Sequence, residues 1–279
     1  MALMKTPLPT YFISHGGGPW PYMPEQLSGR YRNLAAALAD MPRQIGVTPR
    51  AILMVSGHWE ERDFAVQAHP QPPMLYDYYG FPPHTYQVHY DAPGDPALAG
   101  QVRDLIVAAG FASHLDGERG FDHGAFTPMA VMYPQANVPV VQLSLRADFD
   151  PGAHIALGRA LAPLRGEGVL IIGSGLSYHN LRAMGPAARE PSKQFDHWLG
   201  GTLSSDPAAR ARGLVSWEAA PAARFAHPRE EHLLPLMVAL GAAFDETCER
   251  VYHEDDLFGA VTVSSYRFGA AAGGAARAG

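Results

Sequence analysis

Short apolar runs that alternate with stretches of helical spacing constrain the fold of this chain most. Each run is rich in Val, Ile or Leu and ends in Gly, Ser or another polar residue, as buried strands do. The predicted strands are Thr10–Ser14, Ala51–Ser56, Val138–Leu143, Val169–Gly173 and, with alternating polarity, Val261–Phe268. The predicted helices are Leu27–Ala39, Pro96–Ala109, His154–Leu164 and Leu233–Phe244. We therefore predict an α/β fold of three layers, α/β/α, with a central mixed or mostly parallel sheet.

The composition excludes several classes of protein. Hydrophobic residues make up 47% of the 279 residues, which is enough for a sizeable core. The net charge of -6 and the lack of a basic run argue against a nucleic-acid partner. The single cysteine, Cys248, can form neither an intramolecular disulfide nor a thiolate metal cage. No run is long enough to span a bilayer and no signal peptide is recognisable, so we expect a cytoplasmic protein without membrane contact.

The chain shows no internal repeat and no obvious boundary between two domains. We expect residues 1–268 to form one α/β domain, followed by a flexible low-complexity tail at 269–279. The oligomeric state stays open, and a homo-oligomer is compatible with this composition. The sequence contains no G-x-S-x-G, H-E-x-x-H or Walker pattern, which removes the best support for a serine hydrolase, a zincin or a P-loop protein.

The stretch His69–Asp95 breaks the alternation of strands and helices. It is rich in Pro and Tyr, and loops of this length in a compact domain are usually functional or disordered. Its aromatic content argues against disorder. We predict a structured lid, in which Tyr76–Tyr90 closes over a ligand, and the alternative is an ordinary surface excursion.

Five histidines lie in short glycine- or proline-rich contexts at the ends of apolar runs. They are His15, His58, His123, His179 and His232. Two of them, His15 and His58, follow predicted strands, and ligands of open α/β sheets bind beyond the carboxyl ends of strands. Histidine is the commonest metal ligand and the usual proton carrier near neutral pH. The sequence therefore predicts a metal site equipped with a general base.

The residues alone leave the roles of two histidines open. His179 comes just after a strand and is either a third metal ligand or a general base. The neighbouring Ser174 and Ser177 can orient its ring or contact a ligand. His123 either donates a hydrogen bond to a bound substrate or oxygen, or is structural.

The segment HPREEHLLPL offers several candidate ligands. Pro228 suits the first turn of a helix, and Glu230 and Glu231 favour its positive end. His227 and His232 are five residues apart and share a helix face poorly, so we expect one to be a ligand and the other a cap or supporting group. Either glutamate could supply a carboxylate ligand instead, or both could be solvated.

Six segments in order resemble a known family. They are SHGGGP around His15, SGHWE around His58, YDYYGFP, FDHGAFTPM around His123, GSGLSYHNL around His179, and HPREEHLLPLMVALGAA around His232. Up to Phe268 the chain resembles the class III extradiol aromatic ring-opening dioxygenases, in particular the small single-chain DOPA 4,5-dioxygenase branch.

The resemblance implies an activity and a set of site residues. The activity is cleavage of a catechol ring, DOPA-like or otherwise substituted, by O2 at one Fe(II) ion, with Zn(II) as the ion that a purified sample could carry. The implied metal ligands are His15, His58 and His232. His179 is implied as the catalytic base or a fourth ligand, and His123 as a catalytic residue near substrate and oxygen. The substrate contacts that we expect are Tyr78, Tyr79, His84 and Ser177.

Two other functions fit a histidine cage of this kind. A zinc-dependent hydrolase would use the same ligands to activate water. A non-enzymatic metal-binding or interaction protein could keep the fold without turnover. Iron together with oxygen consumption would favour the dioxygenase, whereas tight zinc without oxygen consumption would favour one of these two functions.

Overall fold

Eight strands form one mixed sheet in the computed structural model, which describes residues 6–271. The strands are β1 (Thr10–Ser14), β2 (Ala51–Glu61), β3 (Phe64–Gln67), β4 (Ser113–Asp116), β5 (Val140–Arg146), β6 (Val169–Gly175), β7 (Cys248–Leu257) and β8 (Val261–Phe268). Their order across the sheet is β4-β3-β5-β2-β6-β1-β8-β7. The four central strands β5, β2, β6 and β1 are parallel, whereas β8 is antiparallel to both β1 and β7, and β3 is antiparallel to β5.

Helices cover both faces of this sheet. They are α1 (Pro24–Ser28), α2 (Arg32–Ile45), α3 (Pro96–Ala108), α4 (His123–Met132), α5 (Pro151–Leu161), α6 (Pro163–Gly166), α7 (Arg189–Leu203), α8 (Pro207–Val215), α9 (Ala223–Ala226) and α10 (Leu234–Ala242). Along β6, Gly173 faces α10, whereas the Ser174 hydroxyl donates to the carbonyl of Gly124 in α4, so these two helices lie on opposite faces. The predicted three-layer α/β fold with a mixed sheet is confirmed.

The predicted strands are all present, although their ends differ. β1 and β8 have the predicted bounds, but β2 continues to Glu61 through a register shift between Val55 and Glu60. His58 therefore lies inside a strand, at the irregular part, instead of after its end. Strands β3, β4 and β7 were not predicted. β3 has only four residues, and β4 and β7 lie at the sheet edges, where most of their residues are exposed or half-buried and form no apolar run.

The predicted helix at Leu233–Phe244 is present as α10, and all of its residues from Leu234 to Ala242 are buried. It packs against β1, β6 and α5. The crossing with α5 is very close, because a Cβ atom added at Gly158 would lie 2.2 Å from the carbonyl oxygen of Val238. This packing fixes the chain that leads into α10.

The prediction that Pro228 begins a helix is wrong. Residues 228–233 form turns, in which the backbone N–H groups of Leu233 and Leu234 both donate to the carbonyl of Glu230. The helix begins at Leu234, and Pro235 occupies its first turn, where a missing N–H costs nothing. His232 thus lies on a turn before the helix.

Within residues 6–271, no helix is both long enough and apolar enough to cross a bilayer. Most of the tail predicted at 269–279 lies outside the described residues.

His154 is a buried histidine of α5, packed edge-on against the ring of Phe64. Its Nδ1 donates to the carbonyl of Asp150 at 2.7 Å, and its Nε2 accepts from the backbone N–H of Arg146 at 3.2 Å. Only a neutral ring can make both hydrogen bonds. Burial, as the largest cause, lowers the pKa of His154 to about 4.

We predict an acid-sensitive contribution of His154 to stability. Because the pKa is lower in the folded chain than in the unfolded chain, the contribution is complete above about pH 6.5 and is lost as pH falls toward 4. The unfolding free energy of wild type relative to His154→Gln should fall by about 2 kcal/mol between about pH 7 and pH 5. Urea denaturation measures this difference. The exposed His114→Gln is the control, and a pH-independent difference at position 154 would contradict the prediction.

Candidate functional site

The five histidines predicted from the sequence converge beyond the carboxyl ends of the central parallel strands. We call His15, His58, His123, His179 and His232 the five-histidine cluster. Ring centroids lie 4.9 Å apart for His15 and His58, 5.2 Å for His15 and His232, and 4.0 Å for His58 and His123. Convergence at this edge follows from the parallel strands, whose carboxyl ends meet on one side of the sheet.

Different elements deliver the five rings. His15 follows β1, and its backbone N–H donates to the carbonyl of Gly175 at 3.2 Å. His58 lies in β2, and His179 follows β6 in a loop. His123 is the first residue of α4 on one face of the sheet, whereas His232 precedes α10 on the opposite face. The cluster therefore forms only when both helical layers are in place.

Asp77, which lies in the predicted lid, orients two of the imidazoles. Its Oδ1 accepts from Nδ1 of His123 at 2.9 Å and from the backbone N–H of the same residue at 2.9 Å. Its Oδ2 lies 3.4 Å from Nδ1 of His58. Sequence reasoning missed this residue, and the only available signal was a carboxylate inside the aromatic run YDYYG.

Glu231 orients two further imidazoles in the same way. Its Oε1 accepts from Nδ1 of His179 and from Nδ1 of His232, both at 3.0 Å. The two rings stack with centroids 3.4 Å apart and planes inclined by 20°. Glu231 is buried between two histidines, so the expectation that this residue could be solvated is wrong.

Because a carboxylate only accepts hydrogen bonds, Nδ1 is the protonated nitrogen in the rings of His123, His179 and His232, and Nε2 of these rings carries a lone pair. The Nε2 atoms of His58 and His232 lie 3.1 Å apart. Because Nε2 of His232 carries a lone pair, it either accepts a hydrogen bond from Nε2 of His58 or shares one cation with it. The separation suits two nitrogen ligands that are each about 2.1 Å from one ion.

His15 completes the inner part of the five-histidine cluster. Both of its ring nitrogens are buried and have no hydrogen-bond partner among the described residues. Burial, followed by the neighbouring imidazoles, lowers the pKa of His15 well below its usual value. A buried neutral imidazole with an unused lone pair is suited to binding a metal ion.

The charges of the site also suit a divalent cation. Burial lowers the pKa of His232 well below its usual value and that of His58 to about 4, which leaves both rings neutral. Burial acts to raise the pKa of Asp77 and of Glu231, but hydrogen bonds from His123 and His179 outweigh it and lower both values. Two carboxylate charges therefore surround a group of neutral ligands, as in carboxylate–histidine–metal sites.

Two sets of donor atoms are close enough to share an ion. One nitrogen from each of His15, His58 and His123 lies within 4.8 Å of the other two. In the second set, one nitrogen from each of His179 and His232 and one carboxylate oxygen of Glu231 also lie within 4.8 Å of one another. The two sets adjoin, because the Nε2 atoms of His58 and His232 lie 3.1 Å apart.

A cavity of about 500 Å³ extends from the five-histidine cluster to the surface. Aromatic side chains form much of its wall. The predicted lid contributes Tyr78, whose ring packs against Phe81, Tyr86 and His123. The Tyr78 hydroxyl donates to the carbonyl of Thr85 at 2.5 Å, which ties the segment to itself. In this structure the segment is a packed wall beside the cluster.

The four predicted substrate contacts have different positions. Tyr78 is buried and lines the cavity, and Tyr79 lines its mouth with 92% of its surface exposed. His84 does not line the cavity, because its ring turns away to the carbonyl of Tyr22 at 3.2 Å. Ser177 does not line it either, since its hydroxyl accepts from the backbone N–H of Ser264 in β8. These positions do not fit the predicted contacts of His84 and Ser177 with substrate.

Three further polar residues, His227, Ser174 and Glu230, lie outside the five-histidine cluster and do not line the cavity. His227 is fully buried, and its Nε2 donates to the carbonyl of Ser177 at 3.0 Å. Ser174 bonds to α4 and does not orient His179. Glu230 pairs with Arg224 at 2.7 Å. Of the two histidines in the segment before α10, only His232 is therefore placed to bind a metal ion.

Asp122 is a second carboxylate that the sequence did not reveal, and it is fully buried. It accepts hydrogen bonds from Ser56 at 2.8 Å, Arg119 at 2.9 Å and Gln142 at 2.8 Å. It also caps α4 by accepting from the backbone N–H of Ala125. This network links β2, β5 and the start of α4, and so fixes the positions of these three elements relative to one another.

Two glycines allow the turn before α10 to approach the sheet. A Cβ atom at Gly57 would lie 3.0 Å from the carbonyl oxygen of Glu231, and one at Gly175 would lie 2.1 Å from that of His232. The carbonyl of His232 also accepts from the backbone N–H of Leu176 at 3.1 Å. The position of His232 therefore depends on the lack of a side chain at Gly175.

We predict that Gly175→Ala destabilises the protein by about 1–3 kcal/mol, because the added methyl must displace the backbone of His232. The matched control is Gly185→Ala, where an added Cβ would meet nothing within 4 Å. Urea denaturation measures both variants. Equal unfolding free energies for the two would show that the turn adapts without cost.

Comparison with known proteins adds independent information. Residues 7–269 match the family described as the catalytic LigB subunit of aromatic ring-opening dioxygenase. The 4,5-DOPA dioxygenase extradiol of Portulaca grandiflora is 39% identical over 270 residues, which cover 93% of this chain and 95% of that protein. The dioxygenase tasH of Hapsidospora irregularis is 36% identical over 286 residues, which cover 94% of this chain and 85% of that protein.

A solved structure has the same architecture. The crystal structure of an uncharacterized protein from Escherichia coli K12 superposes with a TM-score of 0.75 at 29% sequence identity. The match covers 94% of this chain and 100% of that one.

Proposed function

This chain belongs to the LigB family of aromatic ring-opening dioxygenases and cleaves catechols on the extradiol side, and we propose that it does so at one Fe(II) ion. The proposed ligands are His15, His58 and His232. The observation that carries the proposal is the approach of two ring nitrogens, Nε2 of His58 and Nε2 of His232, to 3.1 Å beside the unpartnered ring of His15. Three protein ligands would leave coordination positions open for a catechol and dioxygen.

The chemistry of the donors supports a metal centre with an overall charge near zero. Neutral imidazoles alone would leave a divalent ion uncompensated in a buried site. Asp77 and Glu231 supply two negative charges one hydrogen bond away from the ligands. When bound, Fe(II) supplies the redox-active centre through which a chelated catechol and dioxygen exchange electrons.

His179 is the proposed general base, although it also stands as a candidate fourth ligand. Its Nδ1 donates to Glu231, so its Nε2 is free to accept a proton from a catechol hydroxyl. Glu231 then stabilises the imidazolium that forms, because the carboxylate lies 3.0 Å from the ring. The stacked ring of His232 holds the plane of His179 in one orientation.

His123 is proposed to contact substrate or dioxygen. Asp77 accepts hydrogen bonds from both the ring and the backbone N–H of His123, and the His123 ring faces the cavity beside Tyr78. The aromatic wall formed by Tyr78 and Phe81 suits the flat face of a catechol and limits access of water to the reacting atoms. A DOPA-like or otherwise substituted catechol is the proposed substrate, in keeping with the name of the Portulaca relative.

The proposal extends to the organisation of the chain. We assign residues 1–268 to one catalytic domain that acts in the cytoplasm on a small molecule without nucleic acid or membrane partners. Anaerobic loading with Fe(II) or with Zn(II), followed by a panel of catechols in air, tests the metal and the reaction together. Oxygen uptake and a coloured ring-opened product are expected with iron only.

We predict that His15→Ala, His58→Ala and His232→Ala each lower bound iron at least tenfold after anaerobic loading, because each removes a proposed ligand. The control is His84→Ala, whose ring lies outside the cavity and should leave the metal content at the wild-type level. Metal analysis of the desalted proteins gives the result. Stoichiometric iron in all three ligand variants would refute the assignment.

We predict that His179→Ala retains most of its iron but loses about two to four decades in kcat, because general-base catalysis contributes that much. Added imidazole should restore part of the rate by filling the space left by the ring. The exposed His197→Ala serves as the control. Turnover near the wild-type rate in His179→Ala would place the base elsewhere, and loss of iron would make His179 a ligand.

A further inference from the structure

The turn between β7 and β8 carries an unexpected residue. Phe258 and Gly259 occupy its two central positions, with φ angles of 58° and 79°, and the backbone N–H of Ala260 donates to the carbonyl of Leu257 at 3.2 Å. Two-residue turns of this hand favour Asn-Gly, because both central residues adopt left-handed backbone angles. A bulky residue such as phenylalanine is strained in that region.

The Phe258 side chain lies against both the cavity and Arg30. Its ring lines the mouth of the cavity that leads to the five-histidine cluster. The guanidinium of Arg30 lies over the ring face, 4.6 Å from the centroid, and Tyr31 meets the ring edge at 6.1 Å. Strained residues that persist in a fold cluster at ligand-binding sites. The turn therefore holds an aromatic platform beneath Arg30.

Arg30 has no carboxylate within 4.0 Å among the described residues. It is also the one Lys or Arg among the cavity-lining residues of the described chain. Two carboxylates of the β7–β8 hairpin share a surface depression with it, but Glu254 accepts from Asn33 and Asp256 pairs with Arg189. The charge of Arg30 is thus available to a ligand.

The carboxylate that lines the cavity contacts two histidines and does not pair with Arg30. Asp77 lies at the histidine end, where it holds His58 and His123. The cavity consequently has a metal-binding end and a cationic mouth. A volume of about 500 Å³ exceeds the space that an unsubstituted catechol ring needs and leaves room for a substituent.

We propose that Arg30, supported by the Phe258 ring, binds a carboxylate on the substituent of the catechol and so selects substrates. The inference rests on the proposed function for the position of the catechol ring. Guanidinium is suited to this task, because its planar face stacks on an aromatic ring while its edge donates two parallel hydrogen bonds to a carboxylate. The Phe258 platform holds that edge in one plane at the mouth.

Three catechols with the same two-carbon chain test the proposal. The chain ends in a carboxylate in hydrocaffeate and in an ammonium group in dopamine, and it carries no further group in ethylcatechol. Dissociation constants are measured by calorimetry on the Zn(II)-loaded protein without oxygen, and kcat/KM is measured on the Fe(II)-loaded protein in air. Wild type should bind hydrocaffeate at least tenfold more tightly than ethylcatechol, and dopamine least tightly.

Two variants and one control separate recognition from folding. Arg30→Gln should reduce the preference for hydrocaffeate over ethylcatechol by about 10- to 100-fold, since a charge-assisted pair is lost. Arg32→Gln removes an equal charge from an exposed position on α2 outside the cavity and should keep the wild-type preference. Phe258→Asn relieves the backbone strain, so it should raise the melting temperature while lowering the preference several-fold.

The outcomes distinguish this inference from the proposed function. Catechol cleavage with no preference for hydrocaffeate, or with a preference that Arg30→Gln retains, would overturn the role of Arg30 and leave the dioxygenase intact. An equal loss in Arg30→Gln and Arg32→Gln would also overturn it, because the effect would then be one of net charge. Preferential, Arg30-dependent binding of hydrocaffeate without oxygen uptake would overturn the proposed reaction and keep the recognition site.

Discussion

The site depends on two carboxylates that are each shared by two imidazoles. Asp77 holds His58 and His123, and Glu231 holds His179 and His232. In His123, His179 and His232, the hydrogen bond to the carboxylate keeps the proton on Nδ1 and leaves the lone pair on Nε2. Removing the charges of either carboxylate would therefore change the protonation and the direction of two side chains at once. The negative charge that a carboxylate ligand would bring to the metal is supplied here by Asp77 and Glu231, which contact the imidazoles instead of the metal position.

The fold provides the space in which these pairs can meet. The parallel strands β1, β2 and β6 bring His15, His58 and His179 to one edge, and the two helical layers add one histidine each from opposite faces. The turn before α10 reaches the edge because Gly57 and Gly175 have no side chains to obstruct it. Burial of α10 on all sides then fixes the turn, since the helix cannot shift without opening the core. The turn before α10 therefore links the packing of the core to the position of His232 in the site.

The sequence predicted the sheet and the histidines well because both produce local signals. Runs of strand length and suitable polarity correctly predicted the bounds of β1 and β8, and glycine- or proline-rich flanks indicated all five histidines as candidate site residues. The partners of the histidines were not predictable in the same way. Asp77 is separated from His123 by 46 residues and Glu231 from His179 by 52, so only the tertiary fold brings them together. His84 and Ser177 were expected at the substrate for their position in the chain, but the orientation of a side chain in a loop has no comparable local signal.

The division of the cavity into two ends follows from the same constraints. At the histidine end, four of the five rings lie against a carboxylate, and the fifth, that of His15, is buried. The mouth is built from a hairpin turn and the short segment between α1 and α2, which meet through Arg30 and Phe258. Metal and catechol oxygens require fixed geometry, whereas substituents vary among substrates and are contacted by loops. A change in the loops at the mouth can therefore alter which catechol is accepted while the carboxylate–histidine pairs, and with them the ring-opening chemistry, stay the same.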